Sequence, residues 1–361
     1  MMTIAFRVDA SLQIGTGHVM RCLVLADILH ENKTRCIFIC RPLVGHLIEL
    51  INQRGYQVLI LPALQNDSNL MDSGTDWLKD ARETQEVLSS IDCALLDRLF
   101  VDHYALDYRW EQLLRANAHR IMVIDDLADR THDCDLLIDQ NLGRSEQDYC
   151  GLLKSKTIRL IGPHYALLRP EFSELRTQSL FRRAQNPQLN HLLISMGGVD
   201  LDNVTGQVLD AIKSCPLSQD LRITVVMGAK APWLGKVQQQ AKQMFRLTNV
   251  KTNVNNMAQI MADTDLAIGG AGGTAWERCS LGVPSLVIVL SENQRAGALA
   301  LQKKNAVIIF DRVEDIGNWL MSLADLEDSQ TVLKQLSCAA SQITDGHGAR
   351  RVAQEMRALN V

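Results

Sequence analysis

Short apolar runs alternate with longer amphipathic stretches along the whole chain. In the first half the runs Thr3–Val8, Thr34–Cys40, Gln57–Leu61, Arg98–Val101, Arg120–Ile124 and Leu136–Ile138 predict strands. They are continuously apolar rather than alternating, the pattern of strands in a sheet covered on both faces. Between them, His18–His30 sets Val19, Cys22, Leu23, Ala26 and Leu29 at helical spacing, so one face of a helix belongs to a core. Val44–Gln53 and the polar, amphipathic Asp76–Ser89 predict two further helices.

The rhythm breaks between Gly162 and Asn190, where PHYALLRPEF gives way to the polar SELRTQSLFRRAQNPQLN, which predicts a linker. Beyond it the alternation resumes, with strands expected at His191–Ser195, Leu221–Met227, Asn249–Val254, Leu266–Ile268, Ser285–Leu290 and Ala306–Phe310. Strand–helix alternation implies right-handed crossovers and a mostly parallel sheet in each half. The expected architecture is α/β: two Rossmann-like domains with mostly parallel sheets facing across a cleft. The boundaries fall at 1–175 and 188–361, with the last helix free to pack back on the first domain.

A chain of 361 residues is too long for one ordinary core and suits two such domains. With 47% hydrophobic and 22% charged residues it has a globular composition, and its net charge of −4 is scattered rather than blocked. No basic tract or aromatic-interleaved stripe is present, so nucleic acid is not an expected partner. No apolar run approaches the roughly 18–20 residues that span a bilayer, so neither is a membrane. The opening MMTIAFRVDA places Arg7 and Asp9 where a signal peptide needs its apolar centre. The nine cysteines form no C-x-x-C pair, which points to free thiols in a reducing compartment and away from zinc. A cytoplasmic monomer is the expectation.

In open α/β sheets ligands sit beyond the carboxyl ends of the strands, so the loops that follow strands carry the chemistry. QIGTGH follows the first strand. Gly15 and Gly17 permit positive φ and close approach of a ligand, and the helix start behind them favours an anion. The same dipole disfavours a charged imidazole, so His18 is expected to stay neutral, exposed and able to take a proton from water. Arg21 follows one turn later on the same flank; Gly15, Gly17 and Arg21 are taken as substrate contacts. The dinucleotide fingerprint is absent, because Met20 stands where its third glycine belongs. Asp102-His103-Tyr104 ends a central strand, either reaching a cleft or capping with the tyrosine packed beneath the next helix. Asp125-Asp126 ends the next strand, and a turn cap is expected for at least one of them.

The second half carries the stronger pattern. SMGGVD follows its first strand, GGAGGTAWE a later one, and SENQ the one after that. The glycine-rich run leads into a helix near Thr274 and so offers bare N–H groups and a helix N-terminus to phosphate. Glu277 lies about one turn into that helix, suited to the two hydroxyls of a ribose. Three neighbouring loops of this kind point to a nucleoside diphosphate.

GGAGGTAWE, followed by Gly282-Val283-Pro284 and ENQ, is similar to the UDP-binding half of GT-B glycosyltransferases of the MurG type. The N-terminal FRVDASLQIGTGHVMRCLVLA narrows this. With VDHYALDYRWE, IDDLADRTHDCDLLIDQN, GPHYALLRPEF, SMGGVDLDN and DGHGARRVA, it resembles the UDP-2,4-diacetamido-2,4,6-trideoxy-β-L-altropyranose hydrolases of pseudaminic acid biosynthesis, the PseG family. The motifs span essentially the whole chain. The resemblance implies that water attacks the anomeric carbon of a UDP-sugar with inversion, releasing UDP and the free sugar without metal or cofactor. It places the catalytic histidine on His18 and the aromatic hydroxyl on Tyr104. Uridine and phosphate contacts fall on Gly197, Gly198, Gly272, Gly273, Thr274, Ala275, Glu277, Asn293 and Gln294. The leading rival is a UDP-sugar-dependent glycosyltransferase on the same architecture. A nucleotide-sugar binding module without turnover is the other, and the presence of His18 speaks against it.

Overall fold

The computed structural model describes residues 2–63, 76–92, 95–185, 187–213, 215, 217–325 and 329–359. The chain divides into two compact units, Met1–Leu167 with Gly348–Val361, and Leu168–His347. In the first, β1 (Thr3–Val8), β2 (Arg35–Cys40), β3 (Gln57–Ile60), β4 (Leu96–Asp102), β5 (Ala118–Ile124), β6 (Leu136–Asp139) and β7 (Ile158–Ile161) form one sheet. Its order is β3-β2-β1-β4-β5-β6-β7 and every pairing is parallel. Helices α1 (Gly17–His30), α2 (Ile48–Gln53), α3 (Trp77–Ser89) and α4 (Tyr108–Leu114) are crossovers or parts of them.

Continuously apolar strands bury both faces. Phe6, Phe38 and Phe100 sit side by side in register on β1, β2 and β4, with ring centroids 5.1 and 5.0 Å apart. They pack with Val19, Leu23 and Ala26 of α1. The other face sets Ala5, Ile37 and Leu99 against Trp110 and Leu114 of α4 and Leu88 of α3. Truncating Phe6 to alanine would cost about 3–5 kcal/mol, the usual range for a core aromatic.

The second unit opens with α5 (Pro170–Glu174) and α6 (Arg176–Gln185). Its strands are β8 (His191–Ser195), β9 (Arg222–Met227), β10 (Thr248–Thr252), β11 (Leu266–Gly270), β12 (Ser285–Ile288) and β13 (Ile308–Phe310). They pair in parallel in the order β10-β9-β8-β11-β12-β13. Between and after them come α7 (Val204–Lys213), α8 (Leu234–Lys242), α9 (Met257–Asp263), α10 (Gly273–Ser280), α11 (Glu292–Lys303), α12 (Val313–Asp325) and α13 (Ser329–Ser341). The final helix, α14 (Gly348–Ala358), returns to the first unit, where Ala349, Val352, Ala353 and Met356 join the core beside α1. Among the described residues no helix is long and apolar enough to cross a membrane.

The stretch expected as a linker forms α6, and the first compact unit runs to Leu167 before it. Polarity misled because the helix buries arginines rather than apolar side chains. Arg182 donates to the carbonyls of Ala262 and Thr264, and Arg183 to those of Met261, Thr264 and Leu281. These carbonyls lie at helix C-termini, where a cation meets the negative end of the dipole.

In both sheets the strand order reverses once, between β1 and β4 in the first and between β8 and β11 in the second. Crossovers leave such neighbouring strands in opposite directions, which parts the loops at their carboxyl ends and opens a crevice. Every loop singled out for glycine-rich or ionisable chemistry follows one of these four strands or an immediate neighbour.

Candidate functional site

The loop after β1 closes on itself. The Ser11 hydroxyl accepts from the Gln13 and Ile14 N–H groups, and its carbonyl accepts from the Gly15 N–H at 2.9 Å. Gly15 takes φ +82°, which a side chain would strain. The chain then enters α1 with His18 in the first turn. Asp102, the last residue of β4, meets that turn: its Oδ1 lies 2.6 Å from His18 Nδ1. Arg21, one turn below His18 and so on the same helix face, donates to both carboxylate oxygens of Asp102 at 2.6 Å. Its remaining N–H groups turn to Asp126, at 2.8 and 3.0 Å. The Tyr104 hydroxyl donates to Asp126 at 3.0 Å, and its ring stands edge-on to His18 with centroids 4.6 Å apart.

Charge bookkeeping fixes the tautomer. Burial alone would push the Asp102 carboxyl up, but the Arg21 guanidinium and then His18 hold it well below the usual carboxylate range. It is therefore a pure acceptor. His18 Nδ1 carries the proton donated to it, and Nε2 is the ring nitrogen left to exchange a proton. Two carboxylates against one guanidinium leave a net negative charge beside the ring, which stabilises the charge the ring acquires on taking a proton. Burial, and after it Asp126, pushes the Tyr104 phenol well above its ordinary range, so the hydroxyl stays protonated and acts as a donor.

In the second unit, Gly197 after β8 has φ +89°. The Gly198 carbonyl presses so close to Gly228 that a Cβ there would lie 2.0 Å from its oxygen. Asp200 accepts from the Val204 and Thr205 N–H groups and starts α7. After β11, Gly272 caps α10 and Gly273 is exposed in its first turn. Gln294, in the first turn of α11, accepts from the Ala271 N–H at 3.1 Å and so holds the glycine loop. Asn293 beside it is exposed. Glu277 is half-buried, and burial raises its carboxyl to about 7 against the opposing pull of Arg169 and Arg278.

One expectation needs correction. His18 is buried rather than exposed, because Asp102 and Tyr104 close around it. Arg21, expected to contact substrate, directs its guanidinium at Asp102 and Asp126. Ala275 has a buried methyl, and its N–H donates to the Gly272 carbonyl at 2.8 Å. Asp125 caps the turn as expected, accepting from Leu127 and Ala128 N–H groups. Asp102 stood in the quoted D-H-Y motif, but its bond to His18 joins residues 84 apart in sequence, and spacing carries no sign of it. Arg278, which the sequence reading passed over, lies buried against the glycine loop.

Two open parallel sheets with glycine-rich and ionisable loops at their switch points define a protein of the GT-B fold. The glycosyltransferase family 28 C-terminal domain matches residues 191–352. A crystal structure of Acinetobacter baumannii MurG superposes with a TM-score of 0.69 at 13% identity, covering 99% of this chain and 100% of that one. Among sequence relatives, the UDP-2,4-diacetamido-2,4,6-trideoxy-β-L-altropyranose hydrolase of Campylobacter jejuni is 26% identical over 84% of this chain and 97% of its own length. An uncharacterized protein of Methanocaldococcus jannaschii is also 26% identical, over 81% of this chain but only 57% of that longer protein. The resemblance drawn from the motifs therefore holds: the chain has the GT-B fold and is similar over most of its length to that hydrolase.

Proposed function

We propose that this protein is an enzyme acting on UDP-sugars, and that it hydrolyses UDP-2,4-diacetamido-2,4,6-trideoxy-β-L-altropyranose at the anomeric C–O bond with inversion. The observation that carries the reading is the His18–Asp102 pair at the β1/β4 switch point, in a chain similar to the Campylobacter hydrolase over nearly all of that protein. In this reaction His18 Nε2 takes a proton from water while the water oxygen bonds to C1. The C1–O bond to the β-phosphate breaks, its electron pair stays on the phosphate oxygen, and UDP departs. Asp102 holds the ring and stabilises the imidazolium, which later gives its proton to solvent. The glycine loop and the α10 N-terminus suit the diphosphate, and Glu277 the ribose.

The family 28 match favours one rival, transfer of the sugar to an acceptor hydroxyl. Incubation with the UDP-sugar and chelator but no acceptor, followed by NMR, separates the two. The expected result is UDP release with the free sugar appearing in the inverted anomeric form. No UDP above background overturns the hydrolase reading, and UDP appearing only with an acceptor replaces it with transfer.

A further inference from the structure

Several buried arginines among the described residues have visible reasons to be there. Arg21 faces two carboxylates, as does Arg7, and Arg183 covers a set of helix-end carbonyls. Arg278 is fully buried, yet its partners are one carbonyl, Gly270 O at 2.6 Å, and one hydroxyl, Thr274 Oγ1 at 3.3 Å. Its Nε has no hydrogen-bond partner, and no carboxylate among the described residues is paired with it. The acidic neighbour that acts on it, Glu277, is itself shifted toward neutrality, to about 7.

The location gives this charge a use. Arg278 sits late in α10 and its side chain runs back toward the helix N-terminus, as long helical side chains do. A Cβ on Gly269 would lie 2.8 Å from Arg278 Nη1 and 2.7 Å from the Ser195 carbonyl. The guanidinium thus fills the slot left by Gly269, between the ends of β8 and β11, under the two loops that carry Gly197–Gly198 and Gly272–Thr274. A buried cation without a counterion is costly, and the positive end of the α10 dipole lies at the same place. Two positive sources at one point oppose each other until an anion joins them.

We propose that Arg278 is the positioning residue of the nucleotide loop: it fixes the Gly270–Thr274 turn from behind and supplies the positive field that selects a uridine diphosphate over an uncharged uridine. The proposal rests on the reading above that this loop takes UDP. It acts through the loop, so its contribution grows with the phosphate charge of the ligand, whereas a packing role would affect every ligand alike.

Calorimetric titration of wild type, Arg278→Gln and Arg278→Lys with uridine, UMP and UDP tests it, with thermal unfolding of each free protein alongside. Glutamine keeps a donor for the Gly270 carbonyl and removes the charge. The expected result is uridine affinity within about twofold of wild type, and UDP affinity lowered by at least about tenfold, the scale of a partly buried dipole–charge contact. UMP falls between, lysine recovers most of the loss, and the unfolding midpoint of the free glutamine variant is unchanged or higher. Equal loss for uridine and UDP, or loss of the cooperative unfolding transition in both variants, assigns Arg278 to packing and overturns the proposal. Wild type that binds uridine and UDP equally, or neither, overturns the nucleotide reading of the loop and this proposal with it.

Discussion

Asp102→Asn is the most direct test of how the first unit works. The substitution keeps the shape and removes one charge from beneath His18 and Arg21. In the native protein Asp102 Oδ1 lies 2.6 Å from His18 Nδ1, and in the proposed reaction that carboxylate stabilises the imidazolium formed during water attack. Two unit charges about 4 Å apart interact by roughly 4 kcal/mol at the effective dielectric of protein sites. The asparagine oxygen can still accept the Nδ1 proton, so roughly 2–4 kcal/mol is lost from the transition state, or about 30- to 1,000-fold in turnover. The substitution also breaks a buried ion pair, typically worth about 3–5 kcal/mol when one partner is removed. Arg21 keeps Asp126 at 2.8 Å, which holds the cost toward the lower end. The variant should therefore melt earlier by circular dichroism but remain folded, bind UDP as wild type does, and release UDP from the sugar nucleotide at least about thirtyfold more slowly. A folded Asp102→Asn protein with wild-type turnover would refute the assignment of His18 as a base oriented by Asp102.

His18→Ala should lower turnover by at least about a hundredfold with little change in UDP affinity by calorimetry, and equal activity removes His18 from the mechanism. Gly228→Ala drives a Cβ to 2.0 Å from the Gly198 carbonyl oxygen, and backbone cannot swing aside. The cost should be about 1–3 kcal/mol of stability and at least about tenfold in UDP affinity, and affinity within twofold of wild type detaches that loop from nucleotide binding. Glu277, raised from 4.5 to about 7, keeps in the folded state a proton the unfolded chain has lost, so its contribution to stability falls as pH rises through that window. A ribose diol donates two hydrogen bonds and favours the carboxylate. Uridine affinity should accordingly increase between about pH 6 and 8, and Glu277→Gln should flatten that dependence; an equal slope in the variant sinks the ribose assignment.

Strands buried on both faces were legible because continuous apolar runs have few other uses, and β1, β8 and the start of β12 lie where the pattern puts them. The misses have physical causes. β7 is a four-residue edge strand holding Arg159, too short and too polar to stand out. α2 starts later than the pattern implies, because the Val44 carbonyl accepts from the Leu12 N–H and Gly45 turns at φ +90°. α6 was misread because arginine capping of distant carbonyls looks like surface polarity. At the site, glycine turns announce themselves locally, so His18 and the Gly269–Thr274 loop were visible. The partners that give them meaning were not. Asp102 to His18 and Tyr104 to Asp126 are contacts made by the strand order, and only a sheet topology brings those residues together.

The chemistry of the two switch points also explains why one histidine is enough for the proposed reaction. Ordinary glycoside hydrolysis needs a carboxylic acid to protonate the leaving oxygen, beside a second carboxylate for water. A diphosphate leaves as an anion and needs positive field rather than a proton. The second unit is built that way: bare glycine N–H groups, a helix N-terminus and the unpaired charge of Arg278, with Glu277 set about one turn further along the helix. The first unit has the opposite balance, two carboxylates against one guanidinium around a single imidazole. An acid at the glycine loop would weaken the field that makes UDP a good leaving group. A cation in place of Asp102 would oppose the charge that develops on His18. Each site thus excludes the charge that the other requires, and the same argument makes a variant with Asp102 and Arg278 both neutral lose nucleotide selectivity and turnover by separate amounts that add.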